Sequence, residues 1–200
     1  MRISASLSTL LLTLGLLACG GAADEGATED TTIVDTTAMA EEPVGDMAGP
    51  AGALSTPAWM TLDETAQTVS MDIRAGETEA NNRWNFNGLY AGEGAIVVPQ
   101  GYSVTINFTN ADPNQPHSFG IDEPMDSYPA TFDNPEPVFA GAISPDAATT
   151  GTAPNGTATI SFTTDTAGEY VMICYIAGHA VAGMYLPFEV SADGSAGVRQ

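Results

Sequence analysis

The feature that most restricts how this chain can fold is a pair of alternating apolar runs near its end, at residues 170–174 and 185–190. Successive side chains of a strand point to opposite faces of a sheet, so this alternation is typical of a strand with one face in an apolar core. We therefore predict one strand that enters the core, a short hairpin-like loop, and a second strand that leaves it.

The loop between these two runs carries side chains that bind metals. Cys174, His179 and Met184 are spaced as Cys-x4-His-x4-Met, and Gly178 and Gly183 allow the backbone to turn these side chains inward. A thiolate, imidazole nitrogens and a weak thioether form the ligand set of copper in electron-transfer sites. The joint spacing favours a metal site, although a single buried cysteine or methionine is more often only part of a core.

A site of this kind needs a second histidine, and the chain contains only two histidines. The other one, His117, follows a proline and precedes Ser-Phe-Gly-Ile. We predict that His117 joins the three loop residues around one copper ion. Four protein ligands leave no open coordination position for a substrate, so we expect an electron carrier and not an enzyme.

The first residues are predicted to be an export signal and not part of the fold. Arg2 is a minimal positive region, 3–17 is apolar, and 16–19 resembles a bacterial lipobox. The apolar stretch is too short for a membrane-spanning helix. We predict a lipoprotein signal peptide at 1–18 and lipidation of Cys19, with an ordinary signal peptide as the alternative.

The number of cysteines supports both predictions. The chain has two cysteines, which in an exported protein would normally suggest a disulfide. If Cys19 carries lipid, Cys174 has no disulfide partner, and metal ligation gives the free thiol a role. The expected location is outside the cytoplasm, with the lipid anchored in a membrane that faces the periplasm or the cell exterior.

The charge of the chain excludes some classes of partner. The sequence has 25 acidic and 4 basic residues, for a net charge of −21. This excludes nucleic acid and anionic membrane surfaces as partners, so membrane contact is expected through the lipid anchor only. Two interpretations of the acidity stay open: adaptation to high salt, which the absence of lysine favours, and a docking surface for a basic redox partner.

The composition divides the chain into segments. Residues 19–56 are rich in Ala, Gly, Thr, Asp and Glu and contain no aromatic residue, so a disordered acidic tether is predicted there. Residues 57–192 are predicted to form one all-β domain, a Greek-key β-sandwich of about eight strands, and 193–200 a polar tail. Besides the two runs above, strands are predicted at 68–73, 84–88, 95–99, 102–109, 117–121, 157–163 and, within a long connection at 123–154, near 138–143.

Three blocks resemble a known family. Residues 84–88, 96–110 and 116–119, together with the terminal Cys-x4-His-Ala-x-x-Gly-Met spacing, are similar to the sulfocyanins, which are relatives of rusticyanin among the cupredoxins. The resemblance covers about 84–190. It implies a cupredoxin sandwich, one mononuclear type 1 copper and single-electron transfer in respiratory chains. The residues that match the family's ligands are His117, Cys174, His179 and Met184.

Further side chains are predicted to support the site. Ser118 is expected to donate its backbone N–H to the sulfur of Cys174 and to hold His117 with its hydroxyl. Asn85 and Asn87 are candidates for fixing the ligand loops. Candidates for an apolar collar around the metal are Phe119, Tyr175, Ile176, Tyr185 and Phe188.

The expected partners are redox proteins such as a cytochrome or a terminal oxidase subunit, docked weakly on a monomer. Electrons are expected to leave through an exposed edge of His179, with 180–182 as a flat apolar contact patch. A copper storage or delivery lipoprotein is one alternative function, and an adhesion module in which Cys174 is only a core residue is another.

Overall fold

The computed structural model describes residues 52–200, so the predicted signal peptide, Cys19 and most of the predicted tether lie outside the described residues. No helix in the described part is long and apolar enough to cross a membrane. The secondary-structure elements are β1 (Leu54–Ser55), β2 (Met60–Asp63), β3 (Thr68–Ala75), a short turn (Ala80–Arg83) in which Asn81 and Asn82 have non-helical backbone angles, β4 (Ala95–Pro99), β5 (Ser103–Asn110), β6 (Gly120–Asp122), β7 (Thr157–Thr163), β8 (Gly168–Ile173), β9 (Tyr185–Ser191) and β10 (Gly197–Arg199).

These strands form two sheets. One has six strands in the order β1-β10-β4-β9-β8-β6, and the other has four in the order β2-β3-β5-β7. The chain changes sheet at each connection from β3 to β8, so that consecutive strands lie across the core from each other. The pairs β3–β5 and β4–β9 are parallel and the other pairs are antiparallel. The predicted all-β sandwich is confirmed, with ten strands in the described residues where about eight were expected.

The core lies between the sheets because the strands alternate as the sequence predicted. Every second residue of β3 is buried, as Val69, Met71 and Ile73 show, while the residues between them are at least partly exposed. β5 places Ile106 and Phe108 in the same core. Burial of an aliphatic or aromatic side chain of this size stabilises a fold by about 1.5–3 kcal/mol, so these strands define which faces meet.

The long connection at 123–154 covers the outer face of β8. Phe132 packs edge-on against Tyr175 with ring centroids 5.0 Å apart, and Tyr128 packs against Tyr185 at 4.4 Å. These residues form a second apolar cluster that is separate from the main core. β8 is therefore buried on both faces, which explains why its apolar run is nearly continuous.

Four predictions about local structure differ from the structure. Residues 84–88 form isolated bridges through Phe86 and no strand, and Ile143 likewise contributes only a bridge. The last residues are not a polar tail, because β10 pairs with β4 and its Val198 is buried. β1 pairs in turn with β10, so ordered pairing begins before residue 57.

Candidate metal centre

The pairing of β6 with β8 brings two distant parts of the chain to one end of the sandwich. Gly120, the first residue of β6, pairs antiparallel with Ile173, the last residue of β8. His117 lies three residues before this pair and Cys174 one residue after it. The register of a single strand pair therefore places the histidine beside the cysteine.

Three of the predicted ligands form one buried cluster. His117, Cys174 and His179 each offer a ligand atom, and these atoms all lie within 4.8 Å of one another. The sulfur of Cys174 is 3.5 Å from Nδ1 of His179, and the two imidazole centroids are 4.9 Å apart. The structure thus brings the upstream histidine to the same end as the loop residues, as the copper site requires.

One nitrogen of His117 is left without a protein partner. The ring is fully buried, Nε2 lies 3.4 Å from Oδ2 of Asp112, and Nδ1 has no hydrogen-bond partner among the described residues. Burial lowers the pKa of His117, and the neighbouring carboxylate only partly opposes this. A neutral buried imidazole with an unpaired nitrogen costs free energy unless that nitrogen binds something, and a metal ion would satisfy it.

The sulfur of Cys174 is held as a ligand would be. It is fully buried and accepts the backbone N–H of Ser118 at 3.3 Å. Burial raises the pKa of the thiol, which the Ser118 N–H only partly offsets. Without metal the cysteine is therefore protonated at neutral pH, and a bound metal must displace that proton.

The hydroxyl of Ser118 has a different partner from the predicted one. Its oxygen accepts the backbone N–H of Tyr175 at 2.8 Å and lies 3.6 Å from the sulfur of Cys174. His117 uses Asp112 instead. Ser118 therefore holds the backbone that follows Cys174. His117 is held by Asp112, which lies five residues before it in the same connection.

Replacement of Ser118 by alanine should destabilise the metal-free protein by about 1–3 kcal/mol, because the buried Tyr175 N–H loses the one acceptor that it has within residues 52–200. Urea unfolding of the apoprotein measures this. The Ser118→Thr variant keeps the hydroxyl and is the control. An alanine variant as stable as wild type would contradict this role.

Backbone hydrogen bonds between ligand residues close the loop. The N–H of Met184 donates to the carbonyl of His179 at 2.9 Å, and the carbonyl of Met184 accepts the N–H of Cys174 at 3.2 Å. Gly178 and Gly183 have φ of +86° and +102°, the region that glycine adopts without strain. The side chain of Met184 is fully buried, and its role as fourth ligand stays a prediction.

His179 does not present the exposed edge that the sequence suggested. Its side chain is only 3% exposed, and its ring is stacked on Trp84 with centroids 4.7 Å apart and planes 23° apart. Burial, followed by the nearby His117, lowers its pKa to about 4. The predicted contact patch also changes, because Ala180 is buried while Val181 is 56% exposed.

The predicted asparagines brace other parts of the structure. Asn85 donates to the carbonyls of Thr78 and Ala80, and Asn87 bonds to the backbone of β3. It is Asn81 that reaches the ligand loop, through the carbonyl of Ala182 at 3.0 Å. Turn-forming asparagines look alike in a sequence, so nothing distinguished Asn81 from its neighbours.

The predicted collar is also divided among different regions. Phe119 packs against Phe108, and Phe188 against Phe162, both within the main core. Tyr175 lies in the outer cluster. Sequence reasoning did not select Trp84, which stacks on His179, or Asp112, which lies beside the ring of His117.

Comparison with known proteins gives the family. A family model of the sulfocyanin (SoxE) domain matches residues 55–198, most of the chain. The chain belongs to the sulfocyanin family. The sulfocyanin of Sulfolobus acidocaldarius is 27% identical over 123 residues, which are 60% of this chain and 61% of that protein. This sulfocyanin domain therefore matches less than two thirds of that relative's length.

Two solved structures are similar to this chain at low identity. Dithionite-reduced auracyanin from Roseiflexus castenholzii is 24% identical with a TM-score of 0.44, covering 61% of this chain and 96% of auracyanin. Rusticyanin from Thiobacillus ferrooxidans is 23% identical with a TM-score of 0.43, covering 72% of this chain and 89% of rusticyanin.

The donor set of this centre fits one type 1 copper. Two neutral imidazoles and a cysteine sulfur converge in a buried cluster, and a methionine on the same loop is also buried. Two histidines, one cysteine and a weak methionine are the ligands of blue copper sites. The unpaired Nδ1 of His117 is the atom that this assignment explains best.

Proposed function

We propose that this sulfocyanin is a type 1 copper protein that carries single electrons between respiratory-chain partners outside the cytoplasmic membrane. The observation that supports this most is the convergence of His117, Cys174 and His179 in one buried cluster. The family membership of the chain supports it independently. Met184, which is buried on the same loop, would complete the ligand set as its weakest donor.

The bound copper would supply one-electron exchange, and the chain's own residues would keep the site rigid and dry. The ligand loop is closed by hydrogen bonds between Cys174, His179 and Met184, and Asp112 holds the ring of His117. A site that is held in one geometry has little to rearrange when its charge changes. The burial of all four side chains excludes water from them.

Ser118 is proposed to tune the reduction potential. Its N–H donates to the sulfur of Cys174. Once a metal displaced the thiol proton, this hydrogen bond would withdraw negative charge from the sulfur, which would then donate less charge to the metal. Such hydrogen bonds around the cysteine sulfur adjust the potential of blue copper sites. Here the hydrogen bond would favour the reduced state of the site and raise its reduction potential.

The partners and the location belong to the same proposal. We propose a cytochrome or a terminal oxidase subunit as the partner, a monomeric carrier, and an anchor through lipid on Cys19. The net charge of −21 would favour encounter with a basic partner at low salt and would lose this influence at high salt.

The test is the visible spectrum of the oxidised protein together with metal analysis and voltammetry. We expect one copper per chain, an intense band at about 600 nm from copper–thiolate charge transfer, and a reversible one-electron wave. Slow electron exchange with rapid loss of copper to a chelator would instead support the delivery function. A protein that stays colourless with copper and oxidant would contradict both.

A further inference from the structure

The structure assigns to Trp84 the role of outer contact group of the metal centre, through which a docked partner exchanges electrons. This inference rests on the proposed function. The indole is stacked on His179 at 4.7 Å, and Trp84 as a residue is partly exposed while His179 is buried. Trp84 is therefore the aromatic group between this ligand and the solvent.

The turn that presents Trp84 has an unfavourable backbone conformation. Asn81, Asn82 and Arg83 have φ of +47°, +57° and +66° in succession. Three consecutive residues other than glycine rarely adopt the left-handed region, and such strain persists where surrounding contacts hold it, often at functional sites. The position of the indole is therefore maintained at a cost in free energy.

Hydrogen bonds from both ends hold this turn. The amide of Asn85 donates to the carbonyls of Thr78 and Ala80 at 2.9 and 2.8 Å. The guanidinium of Arg83 donates to the carbonyl of Gly76 at 3.1 Å. These contacts fix the residues on both sides of the strained positions.

Asn81 ties the same turn to the ligand loop. Its side-chain amide donates to the carbonyl of Trp84 at 2.9 Å and to the carbonyl of Ala182 at 3.0 Å. Ala182 lies between the two ligands His179 and Met184. The amide thereby holds the indole and the imidazole-bearing loop as one unit.

The indole of Trp84 contacts its surroundings through the face of its ring and not through its nitrogen. Nε1 of Trp84 is buried and has no hydrogen-bond partner among the described residues. A buried tryptophan usually pairs this N–H, so a site selected for simple packing would be better filled by a side chain without a polar atom. The ring instead stacks on His179 with the two planes 23° apart, so that the faces of the two π systems are in contact.

The exchange itself needs no chemistry on the indole. One electron passes from the reduced centre to a one-electron acceptor on the partner, so the centre is oxidised and the acceptor is reduced by the same amount. No bond or proton of Trp84 changes. The ring serves as the contact through which the two redox centres couple.

The test is the electron self-exchange rate of Trp84→Leu and Trp84→Phe, measured between oxidised and reduced copies by NMR line broadening at high ionic strength. If the blue band is retained, we expect a several-fold lower rate constant for the leucine variant and a smaller decrease for the phenylalanine variant, which keeps a ring. An unchanged or increased rate constant would overturn the inference, because the edge of His179 would then be the contact.

Asn81→Gly and Asn82→Gly form a matched pair. Both keep a left-handed backbone possible, but only the first removes the hydrogen bonds to Trp84 and Ala182. We expect a lower rate constant for Asn81→Gly and no change for Asn82→Gly. Equal effects in the two variants would contradict the coupling of the turn to the ligand loop.

A second measurement applies even if Trp84→Leu fails to bind copper. The chain has two tryptophans, and Trp59 packs against the main core. Addition of copper(II) to the apoprotein should quench the fluorescence of Trp59→Phe, where only Trp84 emits, more than that of Trp84→Phe. Equal quenching would overturn the placement of Trp84 at the centre. A wild-type protein without the blue band would contradict the proposed function instead, so the two failures are distinguishable.

Discussion

Replacement of Cys174 by serine should abolish the blue band at about 600 nm, because that band arises from charge transfer between a thiolate and copper. Serine keeps the size of the side chain but its oxygen is not a thiolate donor. The sulfur is buried between Ser118 and the imidazoles, and residues 52–200 contain no other cysteine that could supply a thiolate. The measurement is the visible spectrum after addition of copper and oxidant.

The matched control is His179→Gly, which keeps Cys174 and His117. We expect this variant to bind copper with an altered spectrum, because the thiolate is still present while one imidazole is lost. The fold should survive in both variants, since neither residue lies in the main sheet pairings. A Cys174→Ser protein that retained the intense band would refute the ligand assignment and with it the proposed function.

Acid should destabilise the metal-free protein between about pH 6.5 and pH 4. Burial lowers the pKa of His179 from 6.5 to about 4 and also lowers that of His117. In this range the unfolded chain binds protons that the folded chain does not, so acid favours unfolding. The stability is complete above pH 6.5 and falls as the pH decreases. The shift of His179 alone corresponds to about 3 kcal/mol.

Urea unfolding of the apoprotein at several pH values measures this dependence. The upper part of the range, from pH 6.5 to pH 5, is informative because the chain has only two histidines and carboxylates titrate mainly below it. The His179→Gln variant should show a weaker slope there. Equal free energies of unfolding at pH 6.5 and pH 5 would show that the imidazoles are not buried as described.

Asp112 should make the stability of the apoprotein depend on pH in a second range, below that of the histidines. Burial alone would raise the pKa of this carboxyl, but backbone N–H groups of Asn114 and Gln115 and the ring of His117 hold it below its usual value. A depressed carboxyl pKa contributes stability above the unfolded value that is lost as the pH falls through the folded value. The lowest pH at which the apoprotein stays folded therefore depends on the contact between Asp112 and His117.

Much of the fold could be predicted because the strands alternate strongly. β4 and β7 have the predicted bounds, 95–99 and 157–163. The strand predictions fail where strand pairing, and not the composition of the segment, determines whether a strand forms. β10 contains one apolar residue, Val198, which is buried only because β4 and β1 pair with it on either side.

The candidate ligands could be selected from the sequence, and the contacts around them could not. Cys174, His179 and Met184 share one loop, so their spacing is visible in the sequence. Trp84 lies 95 positions from His179 in the numbering, and no local pattern joins them. Its neighbours read as turn residues, and their left-handed conformation becomes meaningful only when the indole is seen stacked on the imidazole.

By itself, the sequence determined the class of fold, the four candidate ligands and the chemistry that they suit, because side-chain periodicity and donor type are properties of the residues themselves. The tertiary structure alone decided which groups surround the ligands: the register of Gly120 with Ile173 places His117 beside Cys174, and packing covers His179 with Trp84. Such contacts join residues far apart in the chain, and they depend on how the two sheets meet.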